Sequence, residues 1–263
     1  MKKTISTFLV TFVLSTSALA HYQMMYTEET ALEMAKKINL NIVFTHPFSG
    51  AYTMNMSGVD ELYVINRQKK KDLKKDLKEV VYKDINSDGK GYVLPYKARR
   101  MGDHLFVLKP TPYYDETTKG YIQEITKTIV NVAGIPTDWD TELGLKAEIV
   151  PLTKPYAIWK GSSFTGIVKS KGKIVPYAKI DVKYLNRDIN TKTNTLGKPQ
   201  IKAPQDAFVN MVIKANKDGE FTFSIPKKGI WGFKATDVGS DKEYKGKKLS
   251  QDAILWVQVK EMK

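Results

Sequence analysis

The chain has 263 residues, 42% of them hydrophobic, no cysteine, and a formal charge of +14. This length holds one large domain or two ordinary ones with real cores, and the missing cysteine excludes disulfides, thiolate metal sites and cysteine nucleophiles. The charge raises nucleic acid, an anionic membrane face or an acidic partner, yet the lysines are spread through both halves and read mainly as solvated surface.

Met1 to Ala20 has the layout of a secretory signal: Lys2 and Lys3, an apolar run around Phe8 to Leu14, and the small-residue pattern Ala18-Leu19-Ala20. Cleavage after Ala20 is expected to leave a periplasmic chain of 243 residues with a charge of +12. An exported chain seldom meets nucleic acid, so no such partner is expected. Beyond the signal no apolar run nears the ~20 residues needed to cross a bilayer, so the mature chain is not expected to span one. The new N-terminus is His21, whose α-amine (pKa near ~8) and imidazole can chelate one transition metal together. The plainer alternative is that the residue after a cleavage site is histidine by chance.

Thr27 to Lys37 has good helix formers without a clear stripe, which fits a short helix or a polar loop. Leu40 to Phe44 reads as a strand that runs into Thr45-His46-Pro47-Phe48-Ser49-Gly50, where Pro and Gly start a loop. His46 therefore sits at a strand end, and Met54 and Met56, two apart, point the same way on an extended segment. Glu61 to Asn66 is a strand, and Lys69 to Lys83 is a short helix over a sheet edge or a basic loop. Asp84-Ile85-Asn86-Ser87-Asp88-Gly89 resembles a calcium loop, but Pro95 stands where the bidentate Glu belongs, and an Asp-Gly hairpin turn explains it better.

Gly91 to Arg99 and His104 to Lys109 alternate as strands, followed by the aromatic loop Pro110-Thr111-Pro112-Tyr113-Tyr114. Tyr121 to Val132 fits helical spacing, yet its Thr, Ile and Val content favours a strand. Ile135 to Asp140 is loop, and Leu145 to Leu152 closes the first half. A boundary near Pro151 to Gly161 divides an N-terminal β-rich domain, residues 21–153, from a C-terminal domain, residues 154–263. There, Phe164 to Lys169, Tyr177 to Tyr184, Phe208 to Lys214, Phe221 to Ile225, Gly229 to Thr236 and Ala253 to Val259 are short strands with turns between them, the pattern of a β-sandwich.

The start His21-Tyr22-Gln23-Met24 and the block Phe44-Thr45-His46-Pro47-Phe48-Ser49-Gly50 with Met54 and Met56 resemble the periplasmic nickel/cobalt-uptake proteins, a family whose domain was long described only as of unknown function. Further matching blocks are Leu108 to Tyr114, Thr126 to Asn131, Gly144 to Thr153, Asp218 to Phe221 and Lys228 to Phe233. The resemblance implies an exported component beside a nickel or cobalt importer, with an immunoglobulin-like or prealbumin-like C-terminal sandwich. It carries over to His21, Met24, His46, Met54 and Met56. At His104 the sequence departs from the family pattern, where an aromatic is expected.

Two imidazoles and an amine suit Ni(II), Co(II), Zn(II) or Cu(II), with copper favoured on affinity alone, and thioethers from Met24, Met54 and Met56 draw softer ions such as Cu(I). Methionine is also an ordinary core filler. His104 beside Asp103 is a further ligand candidate, although adjacent strand residues face opposite ways. The aromatics Tyr113, Tyr114 and Trp139 wall a site or pack between domains. Without a Gly-x-Ser-x-Gly elbow, a His-Glu-x-x-His pair or a phosphate loop, the expectation is a non-enzymatic metal-binding protein. Its cargo is nickel, with cobalt or copper as alternatives, and its partner is a membrane permease. Two other classes stay open: a copper carrier or histidine-brace copper enzyme, and a structural or adhesion sandwich.

Overall fold

The computed structural model describes residues 21–262, so the signal-peptide reading of residues 1–20 lies outside the described residues. The chain is mainly β. Its strands of four residues or more are β1 (Tyr22–Tyr26), β2 (Lys36–Thr45), β3 (Val59–Asn66), β4 (Lys69–Asp72), β5 (Lys78–Tyr82), β6 (Gly89–Ala98), β7 (Gly102–Pro110) and β8 (Gly120–Val132) in the first half. The second half adds β9 (Glu148–Pro151), β10 (Ser163–Ser170), β11 (Lys179–Tyr184), β12 (Met211–Lys214), β13 (Glu220–Ser224), β14 (Gly229–Ala235) and β15 (Lys247–Lys260).

Three sheets stack around two cores. The small N-terminal sheet has the order β1-β2-β6-β5, and the short strand Thr53–Met54 also pairs with β2. The large sheet runs β12-β11-β14-β15-β8-β7-β3-β4, and a third sheet joins β9, β10 and β13. Side chains alternate across the large sheet. Leu105 and Val107 of β7 and Ile125 and Ile129 of β8 pack with Ile149, Phe164, Val168 and Phe221 of the third sheet. Their neighbours Phe106, Leu108, Val130 and Val132 face the small sheet, against Leu40, Ile42, Phe44 and Leu94. Strand segments covered on both faces read as continuous apolar runs, as Ile42 to Phe44 of β2 and Leu105 to Leu108 of β7 do.

A third cluster packs Tyr22, Met24 and Val43 on the opposite face of the small sheet against Leu185, Ile189 and Leu196 and against Ile254 and Trp256 of β15. The two halves thus share one sheet: β8 pairs in parallel with β15 from Tyr121↔Leu249 to Thr128↔Trp256.

Tyr121 to Val132 is a strand, as its β-branched content indicates. Thr27 to Lys37 forms no helix; Ala31–Leu32 pairs in parallel with the end of β8 and Lys36 already opens β2. The lysine-rich stretch also differs from expectation. After a turn at Arg67 and Gln68, both at positive φ (51° and 60°), it makes edge strand β4, a single 3-10 turn at Lys74–Asp76, and β5. Its lysines face water while Leu73 and Tyr82 are buried, a two-sided strand pattern that a charge run conceals. Asp84 to Gly89 is the connection between β5 and β6, whose ladder closes at Tyr82↔Gly89.

Candidate metal centre

His21 directly precedes β1, and His46 directly follows β2. The antiparallel register Tyr22↔Thr45 therefore sets the two histidines opposite one another. Their ring centroids lie 4.3 Å apart with planes tilted by 56°. Phe44, on the same face by strand alternation, stands 5.4 Å from His21. Tyr52 packs 4.7 Å from His46 and 5.7 Å from His21, and Tyr113 meets His21 edge-on at 6.4 Å. Both Nε2 atoms are buried and have no hydrogen-bond partner.

Burial is the main reason both rings stay neutral. It lowers His21 to about 4, with Lys234 adding to the effect and Asp115 opposing it. It lowers His46 to about 3, helped by His21, Lys183, Arg187 and Lys234. A neutral imidazole keeps a lone pair on one ring nitrogen, the form in which it binds a metal.

Two buried ionic groups position the histidines. Lys234 donates from Nζ to the His21 carbonyl and to Glu124 Oε1, each at 3.0 Å, while Glu124 Oε2 accepts the Gln23 N–H at 2.5 Å. Burial pushes Glu124 above the ordinary carboxylate range. Lys234 is held charged because Glu124 and Asp252 outweigh the cost of its burial. Trp256 Nε1 donates to the Gln23 carbonyl at 3.0 Å, fixing the same strand from β15.

On the other side, Arg187 pairs with Asp84 at 2.8 Å, both side chains fully buried. Arg187 also donates to Thr45 Oγ1 at 2.6 Å, and Asn186 donates to the carbonyls of Pro47 (3.0 Å) and Phe48 (3.1 Å). Burial alone would raise Asp84, but hydrogen bonds from Arg187 and Thr53 hold it below its usual value. Gly50 closes this loop at φ +59°, where an added Cβ would lie 2.8 Å from Pro199.

The remaining candidates scatter. Met24 points away from the histidines into the cluster with Tyr22 and Trp256. Met56 is buried in the core between the sheets, and its Sδ accepts a weak bond from Gln23 Nε2 at 3.6 Å. Met54 pairs with Phe44 in register, so it shares the histidine face and remains half-buried. His104 lies elsewhere, between the Tyr96 hydroxyl at Nδ1 and the Arg100 carbonyl at Nε2, each at 2.9 Å. A carbonyl only accepts, so Nε2 carries the proton and Nδ1 accepts from Tyr96, which leaves no free donor for a metal. Its neighbour Asp103 faces the other way and accepts N–H bonds from Thr137, Asp138 and Trp139. Tyr113 lines the histidine pocket, whereas Trp139 packs on the core beneath the large sheet.

Tyr52 was not among the residues singled out in the sequence. The signal lay in the hairpin itself: with Thr45 opposite Thr53, the next pair outward is His46 and Tyr52. Among the described residues no three His, Cys, Asp or Glu side chains cluster as a ready-made cage. What the fold brings together is thus two buried imidazole nitrogens without a hydrogen-bond partner.

Fold and pocket together define a class: a layered β-sandwich protein with a paired-histidine pocket at a strand end. A family model described as a domain of unknown function matches residues 18–239, and the chain belongs to that family, DUF4198. No curated protein matches the chain. Among solved structures it is similar to the adhesin InvE of Yersinia pseudotuberculosis, at 13% identity over 89% of this chain and 58% of that one, with a TM-score of 0.23. It is also similar to the D00-D0 domain of intimin (10% identity, 92% and 100% covered, TM-score 0.22). A third is dimeric latent PorU from Porphyromonas gingivalis (8%, 90% and 20%, TM-score 0.24). The chain spans 58% of the adhesin's length and 20% of PorU's, and likenesses at these TM-scores carry no argument.

Proposed function

We propose that the protein is an exported, periplasmic transition-metal-binding protein, a nickel- or cobalt-binding component that hands its ion to a membrane permease. The supporting observation is the pair of neutral imidazoles 4.3 Å apart whose buried Nε2 atoms lack any partner. Leaving two buried ring nitrogens unmet costs free energy, which a bound cation would recover in the tautomer with Nε2 unprotonated. Signal cleavage after Ala20 would add the α-amine of His21 as a third nitrogen. The role is binding and release, not catalysis. Release would need the rings uncovered, and Tyr52, packed on both, is itself 38% exposed.

The same nitrogen set favours copper on intrinsic affinity, and Met54 on the histidine face would add a softer donor. A copper carrier or copper enzyme is therefore the second reading. Calorimetric titration of the mature protein with Ni(II), Co(II), Zn(II) and Cu(II) separates them by ranking. Stoichiometric binding is expected for the protein that begins at His21, with loss in His21→Ala, in His46→Ala and in a version carrying one extra N-terminal residue. If both alanine variants keep their fold by circular dichroism and bind like the parent, the site is misassigned. No binding by the parent would leave the structural or adhesion reading.

A further inference from the structure

Far from the histidine pair, the end of the sandwich between β3–β4 and β6 opens into a cavity of about 320 Å³, much roomier than the gaps of about 10 Å³ beside Phe44 and beside Trp256. Six of its ten lining residues are cationic, and no carboxylate is among them. Lys69 and Lys71 pair in register with Asn66 and Val64, so all four share the face turned to the small sheet. Lys97, Arg99 and Arg100 come from the end of β6 and the turn that follows. Lys70 differs: it points to the opposite face, over the Tyr63 ring at 3.8 Å and toward Glu61.

Among the described residues, Lys69, Lys71, Lys97, Arg99 and Arg100 form no ion pair, although exposed lysines elsewhere on this chain often do. Lys69, Lys71, Arg99 and Arg100, unpaired around one hollow, repel one another within a Debye length, a cost that a bound anion reverses. The floor is rigid. His104, 2% exposed, is fixed between Tyr96 and the Arg100 carbonyl. The turn at Arg67 and Gln68 is pinned by N–H bonds to Asp138 at 2.6 and 2.8 Å. Flexible ammonium and guanidinium groups over a fixed neutral floor suit a compact, multiply charged oxyanion, since guanidinium and ammonium donors bond phosphoryl oxygens with charge assistance.

We propose that this cavity is a binding site for a phosphoryl-bearing polyanion, supplied either as a soluble phosphate ester or as an anionic lipid headgroup. The site is independent of the histidine pair and of the reading built on it.

The test uses the mature protein with two probes: pyrophosphate, and phosphatidylcholine vesicles with or without phosphatidylglycerol. Two triple variants carry equal charge loss. One is Lys69→Ala/Lys71→Ala/Arg99→Ala at the cavity. The other is Lys173→Ala/Lys192→Ala/Lys214→Ala, three exposed lysines in the second half. Because none of the cavity heads forms an ion pair, the first variant is expected to melt no lower than the parent. Its affinity should fall by about ten-fold or more, against less than about two-fold for the second. That contrast with pyrophosphate assigns a soluble ligand, and the same contrast with phosphatidylglycerol vesicles alone assigns a lipid headgroup. Equal loss in both variants, or no binding of either probe, overturns the proposal.

Discussion

Two histidines are kept neutral because the fold buries them, and this has a definite sign. In the unfolded chain each ring takes a proton near its ordinary 6.5, whereas in the folded chain His21 waits until about 4 and His46 until about 3. Between those values the unfolded state binds more protons, so their contribution to stability is complete above 6.5 and is lost as pH falls toward 3. On the proposed metal-binding reading, the same property would govern uptake at mildly acidic pH. Ordinary rings and a terminal amine together would release about three protons per ion near pH 5.5, while pre-neutralised rings leave about one, from the amine. Calorimetry at that pH in buffers of different ionisation heat counts them, and a value near three would mean the rings are ordinary. The residue types of this site were legible in the chain. Their meeting was not, because it depends on a register that sets His21 against His46 and Tyr52 beside both. Met24 shows the converse: near His21 in sequence, it belongs to the other face of its strand.

The element that anchors the His46 loop is the loop after β11. It carries Asn186 and Arg187, whose bonds reach the His46 loop and Asp84 between β5 and β6. A buried arginine within such a loop has no periodic signature, and Asp84 looks like any turn aspartate, so neither end of the pair was readable alone. Removing one end strands the other. Arg187→Ala is expected to destabilise the protein by about 3–5 kcal/mol in urea denaturation, with much of the loss restored by adding Asp84→Ala. A loss below about 1 kcal/mol would show that water reaches Asp84 and replaces its partner. The lysine-rich stretch teaches a related lesson: edge strands are guarded by charge, and that charge hides the alternation by which a strand is recognised.

For the whole molecule, the decisive connection is the parallel pairing of β8 with β15, which makes the two halves one sheet. The β character and the sandwich pattern were evident from spacing and turns. Non-local pairing of this kind leaves no local trace, so the sharing of a sheet was not. It predicts cooperative unfolding: fluorescence of Trp139, Trp159, Trp231 and Trp256 and far-ultraviolet circular dichroism should report one coincident urea transition. Two resolved transitions would mean that the halves part before either melts.

The bond from Trp256 to Gln23 joins positions 233 residues apart. Every chain is synthesised from its N-terminus, so β1 waits for β15 before this bond secures it. Lys234, which holds the carbonyl of His21, also arrives late. A chain cut short before β15 keeps the β1–β2 register that faces the two histidines and lacks the Trp256 bond that ties β1 to the large sheet.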